Sequence, residues 1–94
     1  MIAVQSFSSR VLAEVLRRQR PSKERTALAW QLAVGPVLAR ATTIALDDKG
    51  VLSVRATDAR WTAELDHARD LVLAKMQTFL GPDQIRRIKT SGGG

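Results

Sequence analysis

Between Thr42 and Ala56 apolar side chains recur every second residue, whereas on either side of that segment they recur every three or four. Thr42, Ile44 and Leu46 alternate with Thr43 and Ala45. After Asp47-Asp48-Lys49-Gly50 the alternation resumes, with Leu52, Val54 and Ala56 set against Ser53, Arg55 and Thr57. A period of two marks a half-buried strand, and two such runs joined by a turn that opens on Asp and closes on Gly predict a β-hairpin. A chain that carries this hairpin between helical segments has to combine a sheet with helices, and the flanking sequence says how many.

Upstream, Ser8 or Ser9 suits a helix N-cap, and Phe7, Val11, Leu12, Val15 and Leu16 follow at helical spacing. Arg17, Arg18 and Arg20 complement the helix's C-terminal partial charge, and Pro21 stops it. Ser22 caps a second helix over 23–34, with Ala27, Trp30, Leu32 and Val34 as its apolar bulk; Gly35-Pro36 interrupts it, and one more turn over 37–40 can follow. Downstream of the hairpin, Asp58 caps the longest helix. Trp61, Leu65, Ala68, Val72, Met76 and Phe79 form its stripe, Ala63, Asp66, His67, Asp70 and Gln77 lie opposite, and Gly81-Pro82 ends it.

Residues 84–90 read as a third strand. Ile85 and Ile88 stand three apart, so the strand is expected to be irregular or to hold a bulge. The order α-α-β-β-α-β predicts an α+β fold: a small, mainly antiparallel three-stranded sheet covered on one face by helices. Residues 1–90 make a single domain, as 94 residues with 45% hydrophobic content allow, and 91–94 (Ser-Gly-Gly-Gly) read as a flexible C-terminal end.

Composition narrows the function. With no Cys and with His67 the only histidine, disulfides, Cys/His metal sites, Cys nucleophiles and most His-dependent acid–base schemes are excluded. Aromatics at 4% leave little with which to line a small-molecule pocket. Neither a signal peptide nor a run of about 20 apolar residues is found, so a soluble, cytoplasmic protein is expected. Fifteen Lys and Arg against nine Asp and Glu give a net charge of +6 and favour a polyanionic or acidic partner.

Six of those cations, Arg10, Arg17, Arg18, Arg20, Lys23 and Arg25, fall within sixteen residues, interrupted only by Glu14 and Glu24. They read either as phosphate contacts at the junction of the first two helices, reinforced by the amides that open the second, or as a solvated helix end. Arg86, Arg87 and Lys89 on the third strand read as edge protection, and secondarily as an extension of the basic surface. Arg55 and Arg60 are weaker candidates, since either can pair with Asp58 or Glu64. Trp30 and Trp61 invite base stacking, but both sit on apolar stripes, and core packing is the favoured reading. Asp47 and Asp48 are turn formers and His67 a surface residue. No catalytic constellation, cofactor motif or metal site is present, so a non-enzymatic binding module is expected. The G-x-x-G loop of an RNA-clamping KH domain, a P-loop and a helix-turn-helix recognition pattern are all missing.

One pattern spans most of the chain. Ala29-Trp30, Val34-Gly35, Ala39 and Thr42 are followed by Gly50-Val51-Leu52-Ser53-Val54 and by Trp61-Thr62-Ala63-Glu64-Leu65. In order and spacing this resembles the DciA family of bacterial proteins over roughly residues 7–90. The resemblance implies a KH-like domain that partners the replicative DNA helicase and assists its loading onto DNA. It also implies that Trp30, Gly35, Thr42, Leu52, Val54, Trp61 and Leu65 are mostly framework. Many members of the family carry in addition a basic disordered tail implicated in helicase and DNA contacts.

The expectation is therefore an adaptor that binds the helicase and single- or double-stranded DNA, the latter through Arg17, Arg18, Arg20, Lys23 and Arg25. Arg10, Arg55, Arg60, Arg86, Arg87 and Lys89 are secondary candidates. The rivals are a KH-like RNA-binding protein without a helicase partner and a pure protein-interaction domain for an acidic surface.

Overall fold

The computed structural model describes residues 9–92, with side chains from 11 to 91. Phe7, the alternative cap Ser8, the side chain of Arg10 and Gly93-Gly94 lie outside that range. The described elements are α1 (Ser9–Arg18), α2 (Lys23–Val34), α3 (Pro36–Arg40), β1 (Thr42–Leu46), β2 (Val51–Ala56), α4 (Ala59–Leu80) and β3 (Arg87–Gly92). The α+β class and the covering of the sheet by helices are as expected.

Local chemistry sets each boundary. Ser22 Oγ accepts from the Arg25 amide at 3.0 Å and opens α2. Asp58 Oδ1 accepts from the Trp61 amide at 3.1 Å and opens α4. In the hairpin turn Asp47 Oδ1 accepts from the amides of Lys49 and Val51. Gly50 takes φ +84°, which an L side chain rarely adopts, and an added Cβ would lie 3.2 Å from the Arg86 nitrogen. That close approach is used, because Arg86 N donates to Gly50 O at 2.7 Å and hooks the turn to the start of β3.

The sheet has the order β1-β2-β3. β1 and β2 are antiparallel, with Thr43 opposite Arg55 and Ala45 opposite Ser53, whereas β2 and β3 are parallel. The expected mainly antiparallel sheet is thus a mixed one. The 22-residue helix α4 carries the chain back across the sheet, and a strand reached by such a crossover runs parallel to the one it left.

The third strand is corrected in two further ways. It starts at Arg87, because Gln84 and Ile85 belong to the turn after Gly81, where both of their amides donate to Gly81 O. Ile85 is buried from that turn and Ile88 from the strand, so their spacing requires no bulge. At its other end β3 runs on through Ser91 and Gly92, opposite Arg55 and Ala56, although both were expected in a flexible end.

The core lies between the sheet and α2 with α4. Leu52, Val54, Ala56 and Ile88 meet Ala29, Trp30, Ala33, Leu65, Val72, Met76, Phe79 and Leu80 there. Trp30 donates its indole N–H to Thr42 Oγ1 at 2.9 Å, and that hydroxyl donates to Leu38 O. The alternation of buried and exposed residues along β2 leaves the other sheet face open to solvent among the described residues.

The helix α1 is turned from its expected orientation, whereas α2 departs from expectation at Ala27, since Trp30 is buried and Leu32 and Val34 pack against the core. α1 packs on α4 alone among the main contacts, through Ala13 and Leu16 with Leu12 half-buried, and leaves Val11 and Val15 about half exposed. On α2 the buried line is Arg25-Thr26, Ala29-Trp30 and Ala33, while Ala27 is exposed. In each case a small residue faces the neighbouring helix and lets the backbones approach.

Candidate nucleic-acid interface

The basic run folds into a corner. α1 ends at Arg18, the chain turns at Pro21, and α2 starts beneath it. Arg17, Arg18, Arg20 and Lys23 are exposed there. Among the described residues the one ion pair is Arg69–Asp66 on α4, so no carboxylate neutralises these four cations by direct contact.

Arg25 behaves differently from its neighbours. It is only 5% exposed, and its Nη1 donates to Leu16 O at 3.2 Å and to Gln19 O at 3.0 Å. The last carbonyls of a helix lack intrahelical partners and carry its negative partial charge, so a buried guanidinium suits that place. Its Nε has no partner. Arg25 is therefore withdrawn from the surface on which the sequence placed it. It ties the end of α1 to the first turn of α2 and holds the other cations in place.

The secondary candidates are scattered. Arg60 lies over the ring of half-buried Trp61, 6.0 Å from its centroid, and pairs with neither Asp58 nor Glu64. Arg86 is exposed beside the hairpin turn, with its Cγ stacked close to Gly50. Arg55, Arg87 and Lys89 share the open face of the sheet, where the register sets Arg55 beside Ser91 and Ser53 beside Lys89. Sequence reading overlooked this last grouping because its members come from two strands. A signal existed: none of the three strands contains an Asp or Glu, and all nine acids fall in helices, caps and turns.

A cleft opens between the start of α2 and the hairpin turn, lined by Lys23, Ala27 and Leu46 and by the carboxylates of Asp47, Asp48 and Asp83. Asp47 is held below the usual carboxylate range, first by its hydrogen bond from the Val51 amide. A charged, acid-lined cleft repels phosphate, so it separates the basic corner from the basic sheet face instead of joining them. No three His, Asp or Glu among the described residues come together as a metal site. None of the described helices is long and apolar enough to cross a membrane.

Fold and surface together define a class: a small α+β domain of KH-like element order whose corner cations have no carboxylate partner among the described residues. Within that class the chain belongs to the DciA family, whose model, described as Dna[CI] antecedent, DciA, matches residues 4–90. With the family goes a role in bacterial DNA replication, in the loading of the replicative helicase. No curated protein and no solved structure matches the chain.

Proposed function

We propose that this domain is a non-enzymatic adaptor that binds the replicative helicase and DNA together and so assists helicase loading, with DNA held at the corner of α1 and α2. The observation that carries the DNA contact is the set Arg17, Arg18, Arg20 and Lys23, exposed and free of carboxylate partners among the described residues. Such groups bind phosphates without reading bases, and base-independent contact is what a loader needs at unrelated sequences.

Four cations at one corner engage three or four phosphates. The slope of log affinity against log salt for this site is then about −3, with dissociation constants in the micromolar range or weaker at physiological salt. Exchanging Arg17 and Arg18 for Glu lowers the affinity for a labelled oligonucleotide about tenfold or more at 0.1 M salt, as read by fluorescence anisotropy. Unchanged affinity removes the corner from the account. The rival reading, an RNA-binding protein with no helicase partner, predicts a preference for RNA over DNA of the same sequence, which a competition titration measures. With Trp30 buried and hydrogen-bonded, the molecule lacks one of the two aromatic platforms that reading would use.

A further inference from the structure

The open face of the sheet combines features that the corner does not share. Thr43, Ala45, Ser53, Arg55, Arg87, Lys89 and Ser91 are exposed along it in one register. Neighbouring strands stand about 4.8 Å apart and alternate residues about 6.7 Å along a strand, so Lys89 lies about 7 Å from Arg87 and about 8 Å from Arg55, and the three form a row of charge about 14 Å long. Hydroxyls flank them: Arg55 has Ser91 on one side and Thr43 on the other, and Lys89 is paired with Ser53. No carboxylate belongs to any of the strands; Asp47, which adjoins β1, is folded back onto the amides of its own turn, and Asp58, three residues after Arg55, is engaged by the Trp61 amide as the cap of α4.

The chemistry of the face selects its occupant. The exposed large apolar residues, Val11, Val15, Leu28, Val37 and Leu71, all lie on helices, so this face lacks the aromatic and apolar anchors on which protein interfaces depend. Without an aromatic side chain it offers no platform for stacking bases either. Three cations amid small hydroxyl side chains fit a chain of phosphates approached at close range.

We propose that this face is a second DNA-binding surface, which grips the phosphate backbone through Arg55, Arg87 and Lys89 independently of the α1–α2 corner. The inference rests on the reading of the domain as a DNA-binding adaptor and adds to it a second point of attachment. The helix α1 packs on α4 and has no main contact with a strand, and the acid-lined cleft opens between the start of α2 and the hairpin turn, so the two surfaces take separate DNA segments or separate stretches of one.

The test is anisotropy of a labelled duplex and of a single strand of one sequence, with the whole chain. In R17E–R18E protein the residual binding has a salt slope of about −3, set by the three sheet cations. Adding R55Q–K89Q abolishes that residual binding, whereas adding R40Q–K75Q, an exposed pair of equal charge elsewhere, leaves it within about twofold. A thermal melt matching wild type shows that R55Q–K89Q is folded. Loss of all binding in R17E–R18E alone, or an equal loss with R40Q–K75Q, overturns the second surface and leaves the corner standing. Undiminished residual DNA binding when R55Q–K89Q is added to R17E–R18E, with loss of the replicative helicase from the size-exclusion peak of R55Q–K89Q, also overturns it, making the face a dock for an acidic protein. Absence of DNA binding by the wild-type chain overturns the adaptor reading itself.

Discussion

Arg25 has a cationic head, a buried position and no acidic partner, and each of the three bears on what its loss would do. Its guanidinium donates to two carbonyls at the end of α1; Leu16 O keeps the Gln19 amide as a donor, so replacing Arg25 removes the partner of Gln19 O and empties the buried space that the guanidinium fills. A buried group left unsatisfied costs about 1–3 kcal/mol, and more when the lost partner was charged. Arg25→Ala is therefore expected to lower stability by about 2–3 kcal/mol and the melting temperature by about 10 °C or more, read by calorimetry. Arg17→Ala and Arg18→Ala, both at exposed positions, leave the melt unchanged. Equal effects at all three sites would show that Arg25 does not clamp the corner. Residue by residue, the caps Ser22 and Asp58 and the turn Asp47–Gly50 were legible, because each is a local bond between a side chain and a nearby amide. Arg25 was misread because a run of cations draws attention to charge alone. Its place beside Thr26 and four residues before Ala29, on the line that buries Trp30 and Ala33, was the sign that it faces inward.

At the scale of elements, the attachment of β3 to α4 depends partly on one carboxylate. Thr90 Oγ1 donates to Asp66 Oδ1 at 2.6 Å, and Arg69 Nη2 donates to the same oxygen at 2.7 Å. The hydrogen bond from Thr90, and secondarily that from Arg69, holds Asp66 below the usual carboxylate range. A group depressed in the folded state contributes stability above its unfolded value, 3.8 for this carboxyl, and loses that contribution as pH falls through the folded value. Asp66→Asn is thus expected to be less stable than wild type at pH 7 and to converge on it only as pH falls below the ordinary carboxylate range, by urea denaturation at each pH. A gap that stays constant would mean that the charge of Asp66 contributes nothing. The hairpin and α4 were legible from period alone, since each repeats its pattern many times. The ends of β3 were not, because Ile85 is buried by a turn and a turn obeys no period. The parallel pairing of β2 with β3 was implicit in a strand, a long helix and a strand in succession, which is a crossover.

Over the whole molecule, charge is sorted by architecture. The acids sit on helices, caps and turns, and the strands carry cations only, so a modest net charge of +6 becomes two basic surfaces with an acid-lined cleft between them. Net charge suggested a polyanionic partner, and the order of motifs pointed to the family. The separation of the two surfaces required the fold, because it depends on which strands become neighbours. On the reading proposed above, the two basic surfaces serve DNA, and the remaining helical surface, where Leu28 and Val15 are about half exposed, is left for a protein.

The central claim is that the domain joins helicase to DNA, and the most direct measurement is size exclusion with light scattering on the chain mixed with the replicative helicase of the same organism. A shared peak is expected, with a mass that exceeds that of the helicase alone by whole copies of this chain. Separate elution of the two proteins, each at its own mass, would contradict it.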